Sequence, residues 1–278
     1  MTTHYLDLER VRLRYRVEGD PEAPPVVLLH GGGFDEAELS WRHAIPALSE
    51  NARVYAPDLP GYGASGPPAE TPTLAYYAGV LSRFLDEVGV ADPALVGISM
   101  GGGVALRYAV DDPTGVSRLA IVDSYGLGTS VPASRLAYWF TRADRLNRLV
   151  WRAMARSRRL TGAAVDAVTV SPGPALVDDA VASLDRPNPG AAWRDFQRHE
   201  VCPSGLRTAF VDDLPDLSVP TLLVHGERDP LVPVDWAVRA AALLPDATLR
   251  VLSNCGHMPP RERPDAFNER VRSFLETA

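Results

Sequence analysis

Apolar and polar residues change their period along the chain, and each change marks an element. Residues 5–9 and 11–18 alternate with period two, which predicts an antiparallel strand pair. Residues 26–30 and 54–56 are short, continuously apolar runs of the kind that buried strands carry. Over residues 73–88 the apolar positions Leu74, Tyr77, Leu81, Phe84, Leu85 and Val88 recur at three- and four-residue spacing, which predicts a helix. A strand at 94–98, a helix after Ser99 and a strand at 119–123 continue the alternation. It resumes with a strand at 219–225, a helix at 234–244, a strand at 248–252 and a final helix at 264–276. Strands and helices taken in turn predict an α/β fold, a mostly parallel central sheet flanked by helices.

Between the two blocks the pattern becomes mostly helical with proline punctuation. Residues 127–213 therefore read as a helical cap (lid) inserted into a core made of 1–126 and 214–278. Between Arg135 and Arg159 eight arginines stand against one acid, Asp144. Leu136, Trp139, Phe140, Ala143, Leu146, Leu149, Val150 and Met154 recur there at helical spacing, so this stretch has one apolar and one basic face. The expectation is that the apolar face, with Trp139, Phe140 and Trp151, roofs a pocket rather than meeting a membrane. The arginines are expected to face solvent or to pair with acids such as Asp166, Asp178, Asp179 and Asp185. The sharper alternative is that one or two clamp an anionic substrate.

Composition narrows the chemistry. The chain has 278 residues and a formal charge of −7, with a pI near 5.4, which gives no overall electrostatic reason to bind nucleic acid or an anionic membrane. All 28 cationic residues are arginine, and the absence of lysine excludes Schiff-base chemistry and a P-loop lysine. Residues 1–16 carry charge throughout and no apolar h-region, and no apolar run reaches the ~20 residues of a membrane span. With only Cys202 and Cys255, neither a disulfide framework nor a zinc site is indicated. The sequence thus predicts a soluble, cytoplasmic protein acting on a small molecule, with no cofactor and no metal; a homo-oligomer is left open.

The densest chemical signal is Gly97-Ile98-Ser99-Met100-Gly101, which follows the apolar run 94–96 and opens a glycine-rich helix. Small residues on both sides of a serine let a strand turn sharply into a helix, presenting the hydroxyl beside free N–H groups. A serine needs a base to take its proton and a third group to orient that base. His257 and Asp229 each follow a strand, in the chain order serine, acid, histidine. Asp123 also ends a strand and is a second candidate for the acid, or a structural residue. His30 and His225 read as hydrogen-bonded scaffold, Cys255 as a small packed residue, and Asp58 as the tie of a turn.

With His30-Gly31-Gly32-Gly33, Asp58-Leu59-Pro60-Gly61-Tyr62-Gly63-Ala64-Ser65, the serine turn with Gly102, His225-Gly226-Glu227-Arg228-Asp229 and Gly256-His257, the chain resembles the α/β-hydrolases. These motifs span residues 26–260 and leave only the cap unmatched. The resemblance implies catalytic Ser99, Asp229 and His257, and an oxyanion hole from the N–H of Met100 with Gly32 and Gly33. A run of glycines does let bare backbone approach a developing oxyanion. The expected pocket residues are Phe34, Ile98, Tyr125, Trp139, Phe140 and Met258. The expected reaction is hydrolysis of a carboxylic ester of a small hydrophobic or aromatic substrate. The alternative is a carbon–carbon hydrolase of ring-cleavage diketones, whose members usually place asparagine before the serine and tryptophan after the histidine; here these are Ile98 and Met258. A further alternative is a non-catalytic binding protein on the same fold.

Overall fold

A computed structural model describes residues 2–130 and 134–276. Strand β1 (Thr2–Leu8) pairs antiparallel with β2 (Val11–Glu18), in register from Thr2 opposite Val17 to Leu8 opposite Val11. Then come β3 (Pro25–Leu29), the short helices α1 (Ala37–Trp41) and α2 (Ala44–Leu48), β4 (Arg53–Pro57), α3 (Leu74–Val88), β5 (Ala94–Ile98), α4 (Met100–Asp111) and β6 (Arg118–Val122). After five intervening helices the sheet resumes with β9 (Thr221–Gly226), α10 (Val234–Leu243), β10 (Ala247–Leu252), α11 (Pro259–Glu262) and α12 (Pro264–Leu275). The sheet has eight strands in the order β1-β2-β4-β3-β5-β6-β9-β10. Only the pairings of β2 with β1 and β4 are antiparallel.

Alternation along the buried strands splits the core into two layers. Val27, Leu29, Leu95, Leu119, Ile121 and Leu223 face the layer formed with α3, α4 and α10. Their neighbours Val26, Leu28, Val96, Ala120, Leu222 and Val224 face the layer formed with α1, α2 and α12. Successive Cβ atoms point to opposite faces, so continuously apolar strands require helices on both sides. Helix α3 begins where the Thr73 side chain accepts the Tyr76 N–H, and ends at Gly89, whose φ of 67° is the left-handed conformation of a C-terminal stop.

Between β6 and β9 run α5 (Ser134–Arg142), α6 (Asp144–Ala155), α7 (Arg158–Asp166), α8 (Pro174–Leu184) and α9 (Ala191–Glu200), then a two-strand pair, β7 (Val201–Cys202) and β8 (Gly205–Leu206). Residues 131–133 of the segment expected to form the cap lie outside the described residues. The segment is tied to the carboxyl ends of the strands at several points. Ser183 Oγ donates to the Phe34 carbonyl, Arg186 Nη1 to Gly61 O (3.2 Å), and the His257 N–H to Val168 O (2.8 Å). No helix among the described residues is long and apolar enough to cross a membrane.

Candidate active site

Ser99 stands between β5 and α4 with φ 52° and ψ −117°, a backbone conformation that disfavours any L-residue. The surrounding chain holds it there. Ser99 N–H donates to Val122 O (2.9 Å), and Ser99 O accepts from Gly103 N (3.1 Å) and Tyr125 N (3.0 Å). The turn is tight enough to require glycine on both sides: a Cβ on Gly97 would strike the Gly101 carbonyl, and one on Gly101 would strike the carbonyls of Leu29 and His30. Met100 N–H, in the first turn of α4, lies among the amides that have no acceptor within their own helix.

His257 Nδ1 lies 2.7 Å from Asp229 Oδ2. Asp229 Oδ1 accepts the N–H groups of Leu231 (2.7 Å) and Val232 (3.1 Å), which fixes the carboxylate toward the imidazole. A hydrogen on Nδ1 shared with the carboxylate leaves Nε2 as the basic nitrogen. Ser99 and His257 line the same two cavities but make no hydrogen bond to one another among the described residues. Such bonds are commonly long before substrate is bound.

Below this pair lies a second carboxyl. Asp123, also at positive φ (43°), is fully buried; its Oδ1 accepts from Gly226 N (2.8 Å), while Oδ2 finds no partner. Burial, reinforced by the Asp229 charge, pushes its pKa well above the usual carboxyl range. His225 next to it is neutral: burial lowers its pKa, and Nε2 donates to Val232 O (3.0 Å), leaving the other nitrogen 3.4 Å from Asp123. Asp229, not Asp123, therefore meets His257. Spacing in the sequence indicates no metal set, yet Asp123, Asp229 and His257 offer donor atoms within 4.8 Å of one another. The hydrogen bond between Asp229 and His257 and the one from Gly226 N to Asp123 hold these groups in place.

The remaining motif residues are scaffold. His30 accepts the Leu59 N–H at Nε2 (2.9 Å) and donates from Nδ1 to Gly31 O (2.7 Å). Asp58 accepts from Arg14 (2.8 Å), Ala37 N (3.1 Å) and Ala64 N (2.9 Å), tying its loop to the sheet. In the glycine loop, Gly31 N–H is committed to Asp35 Oδ2 (2.7 Å). Gly32 carries no Cβ because the Trp193 ring occupies that position.

Two cavities of about 300 and 170 Å3 meet at Ser99 and His257, with Trp193, Gln197 and Leu231 common to both. The larger is closed by Phe34, Ile98, Trp151, Met154 and Met258, with Gly32 and Gly33 in its wall, and the smaller by Tyr125, Phe196, Leu206 and Trp236. Trp139 and Phe140, expected to roof the pocket, line neither. They are 70% and 38% exposed on the outer side of α5, because that helix turns Thr141 inward instead. Trp151, one helix later, takes the expected place. Trp193 and Gln197 escaped the sequence reading, although Ala192, Trp193 and Phe196 in α9 have the spacing of an inward face. Glu262 escaped it too: its Oε1 accepts from Gly256 N (3.0 Å) and Met258 N (3.1 Å) and its Oε2 from Val170 N (2.7 Å), clamping the histidine loop to the inserted segment.

A serine turn, an aspartate–histidine pair and a glycine loop at neighbouring strand ends are joined by a match of residues 26–270 to the model of the "Alpha/beta hydrolase family". The chain belongs to that family. Among relatives of this α/β-hydrolase, the dihydrolipoyllysine-residue acetyltransferase component of the acetoin cleaving system of Cupriavidus necator is 30% identical, over 98% of this chain and 68% of the relative. The 2-hydroxy-6-oxo-2,4-heptadienoate hydrolase of Pseudomonas putida is also 30% identical, over 90% of this chain and 88% of the relative. The crystal structure of the carboxylesterase CesB (YbfK) from Bacillus subtilis superposes with a TM-score of 0.78 at 26% identity, covering 99% of this chain and 91% of that one. With esterase and carbon–carbon hydrolase relatives, this α/β-hydrolase fold is that of a hydrolase.

Proposed function

We propose that the protein hydrolyses carboxylic esters of small, neutral, apolar or aromatic substrates through an acyl-enzyme on Ser99, beneath a cap formed by residues 127–213. The observation that carries this is the lining of the two cavities that meet at Ser99. Among the described residues no arginine lines either one. Their carboxylates, Asp35 and Glu200, are held by protein donors: Asp35 by Gly31 N and Ser40 Oγ, Glu200 by the Tyr125 hydroxyl (3.0 Å) and Thr208 Oγ1 (3.0 Å). A carboxylate-bearing substrate would be desolvated beside these acids with no cation to receive it. An apolar acyl group and an apolar alcohol, one on each side of the serine, fit instead.

In this reading Ser99 Oγ attacks the ester carbonyl while His257 Nε2 takes its proton, and Asp229 balances the imidazolium through Nδ1–H. The carbonyl oxygen becomes negative and is held by the N–H of Met100 together with the glycine loop, Gly32 and Gly33, in the wall of the larger cavity. One such donor is worth about 3 kcal/mol, or ~100-fold in rate. His257 then protonates the departing alkoxide, and water repeats the cycle to release the acid.

The test is labelling with a fluorophosphonate followed by turnover of p-nitrophenyl esters beside a vinylogous diketone acid. The expected result is one adduct, absent in Ser99→Ala, with the short-chain esters as the better substrates. Absence of any adduct would leave a binding protein. Faster cleavage of the diketone acid would replace the ester reading with the carbon–carbon one, to which the Pseudomonas putida relative lends weight.

A further inference from the structure

The outer faces of α5 and α6 are apolar and uncovered. Leu136 and Trp139 on α5 are 73% and 70% exposed; Leu146, Leu149 and Val150 on α6 are also exposed. Only Ala143 separates the two helices. The polar side of α6 carries Arg145, Arg148 and Arg152, and Arg156 follows as its C-terminal cap. Arg148 pairs with Asp144, whereas Arg145, Arg152 and Arg156 stand exposed with no ion pair among the described residues. The inner side of the same helix is spent on the candidate active site, where Trp151 and Met154 line the larger cavity. Apolar residues with a tryptophan on one side, arginines along the other and low overall hydrophobicity are the attributes of a helix that lies in a lipid–water interface.

We propose that the α5–α6 face docks this protein on an anionic phospholipid bilayer, the apolar side chains entering the acyl boundary and the arginines meeting the headgroup phosphates. Charge decides between this occupant and a second copy of the chain. A two-fold interface would set these arginines against their own copies, with Asp144 as the only acid in the stretch from Arg135 to Arg159. An anionic surface neutralises them. The net charge of −7 does not oppose this, because at physiological salt fields beyond about 8 Å are screened and the facing patch governs the contact. This face holds none of Ser99, Asp229 and His257, so lipid docking is independent of ester cleavage.

The experiment is sedimentation of the full chain with sucrose-loaded vesicles of phosphatidylglycerol or of phosphatidylcholine, at low and high salt. Trp139 is the exposed one of the five tryptophans, so quenching by brominated acyl chains reports its depth. We expect partitioning to phosphatidylglycerol at least tenfold above phosphatidylcholine, weakened by salt. Bromolipid quenching should disappear in Trp139→Phe. A Leu146→Ser/Leu149→Ser variant and an Arg145→Glu/Arg152→Glu/Arg156→Glu variant, both altered only at exposed positions, should each bind at least tenfold more weakly. No binding to phosphatidylglycerol at low salt overturns the proposal. So does binding that leaves Trp139 unquenched and is equal in both variants, since another face would then make the contact. Sedimentation velocity showing a dimer that Leu149→Ser dissociates would assign the face to a second copy instead.

Discussion

The turn at Ser99 and the helix pair α5–α6 differ in what determines each side chain's position. At the turn, backbone meets backbone: Ser99 is bonded to Val122, Gly103 and Tyr125, and Gly97 and Gly101 leave no room for a methyl group. On the outer side of α5–α6, Leu136, Trp139 and Leu149 have solvent where a core residue has neighbours. The turn is written in glycines and the helix pair in periodic apolar residues, and only the first is specified by contacts. A helical period shows that a face exists; packing alone shows what lies against it.

The largest effect expected from this contrast lies beneath the turn, where two aspartates sit side by side in different states. Asp229 is bonded to His257, whereas Asp123 is bonded to Gly226 N and burial pushes its pKa up. Asp229→Asn removes the charge that orients the imidazole and should lower kcat by about 10^4, while Asp123→Asn, which makes no bond to the imidazole and keeps an acceptor for Gly226 N, should stay within about tenfold. Steady-state ester hydrolysis by both variants measures the difference. Equal losses would mean that the two carboxyls act as one unit and that assigning the imidazole's partner from geometry is mistaken.

A smaller effect compares two tryptophans twelve residues apart. Trp151 is buried against Gly190 and the larger cavity; Trp139 is exposed. Trp151→Ala should cost about 3–5 kcal/mol by urea unfolding, the usual cost of emptying a buried aromatic site, and Trp139→Ala no more than about 0.5 kcal/mol. A large loss at Trp139 would show that its outer face is covered in solution, which would break the comparison.

The same contrast explains which features were legible in the sequence. β5 spans the predicted residues 94–98, and β6 and α3 lie within one residue of their predicted bounds, because strands buried on both faces and a helix with a threonine cap carry their signals locally. The serine turn, the order of the acid and the histidine, and the scaffold roles of His30 and Asp58 could be read for the same reason: each is a short motif whose geometry depends on its own glycines and strand ends. The pocket roof was not legible. Leu146 and Trp151 lie on one helix, and the choice of which turns inward is made by packing against α8 and against Gly33 and Gly190, which lie well away from Trp151 in sequence. Glu262 was hidden for a related reason, since a carboxylate that clamps four amides is indistinguishable in sequence from a solvated one.

The finest distinction concerns stability against pH. The Asp123 carboxyl keeps its proton in the fold well above the ordinary carboxyl range because burial and the Asp229 charge both oppose ionisation. In the unfolded chain it ionises near pH 3.9. Below that value both states are protonated and Asp123 confers no pH dependence. Above it the unfolded state binds fewer protons than the native one, so this group's contribution to stability declines as pH rises toward its folded pKa. Asp123→Asn abolishes that decline while keeping the shape of the side chain and an acceptor for Gly226 N. The melting temperature of Asp123→Asn minus that of the unsubstituted protein should therefore become more positive over the pH interval above the ordinary carboxyl range. A difference that stays level over this interval would mean that Asp123 is ionised in the fold, and the carboxyl charge beneath His257 would then be shared by both aspartates rather than held by Asp229.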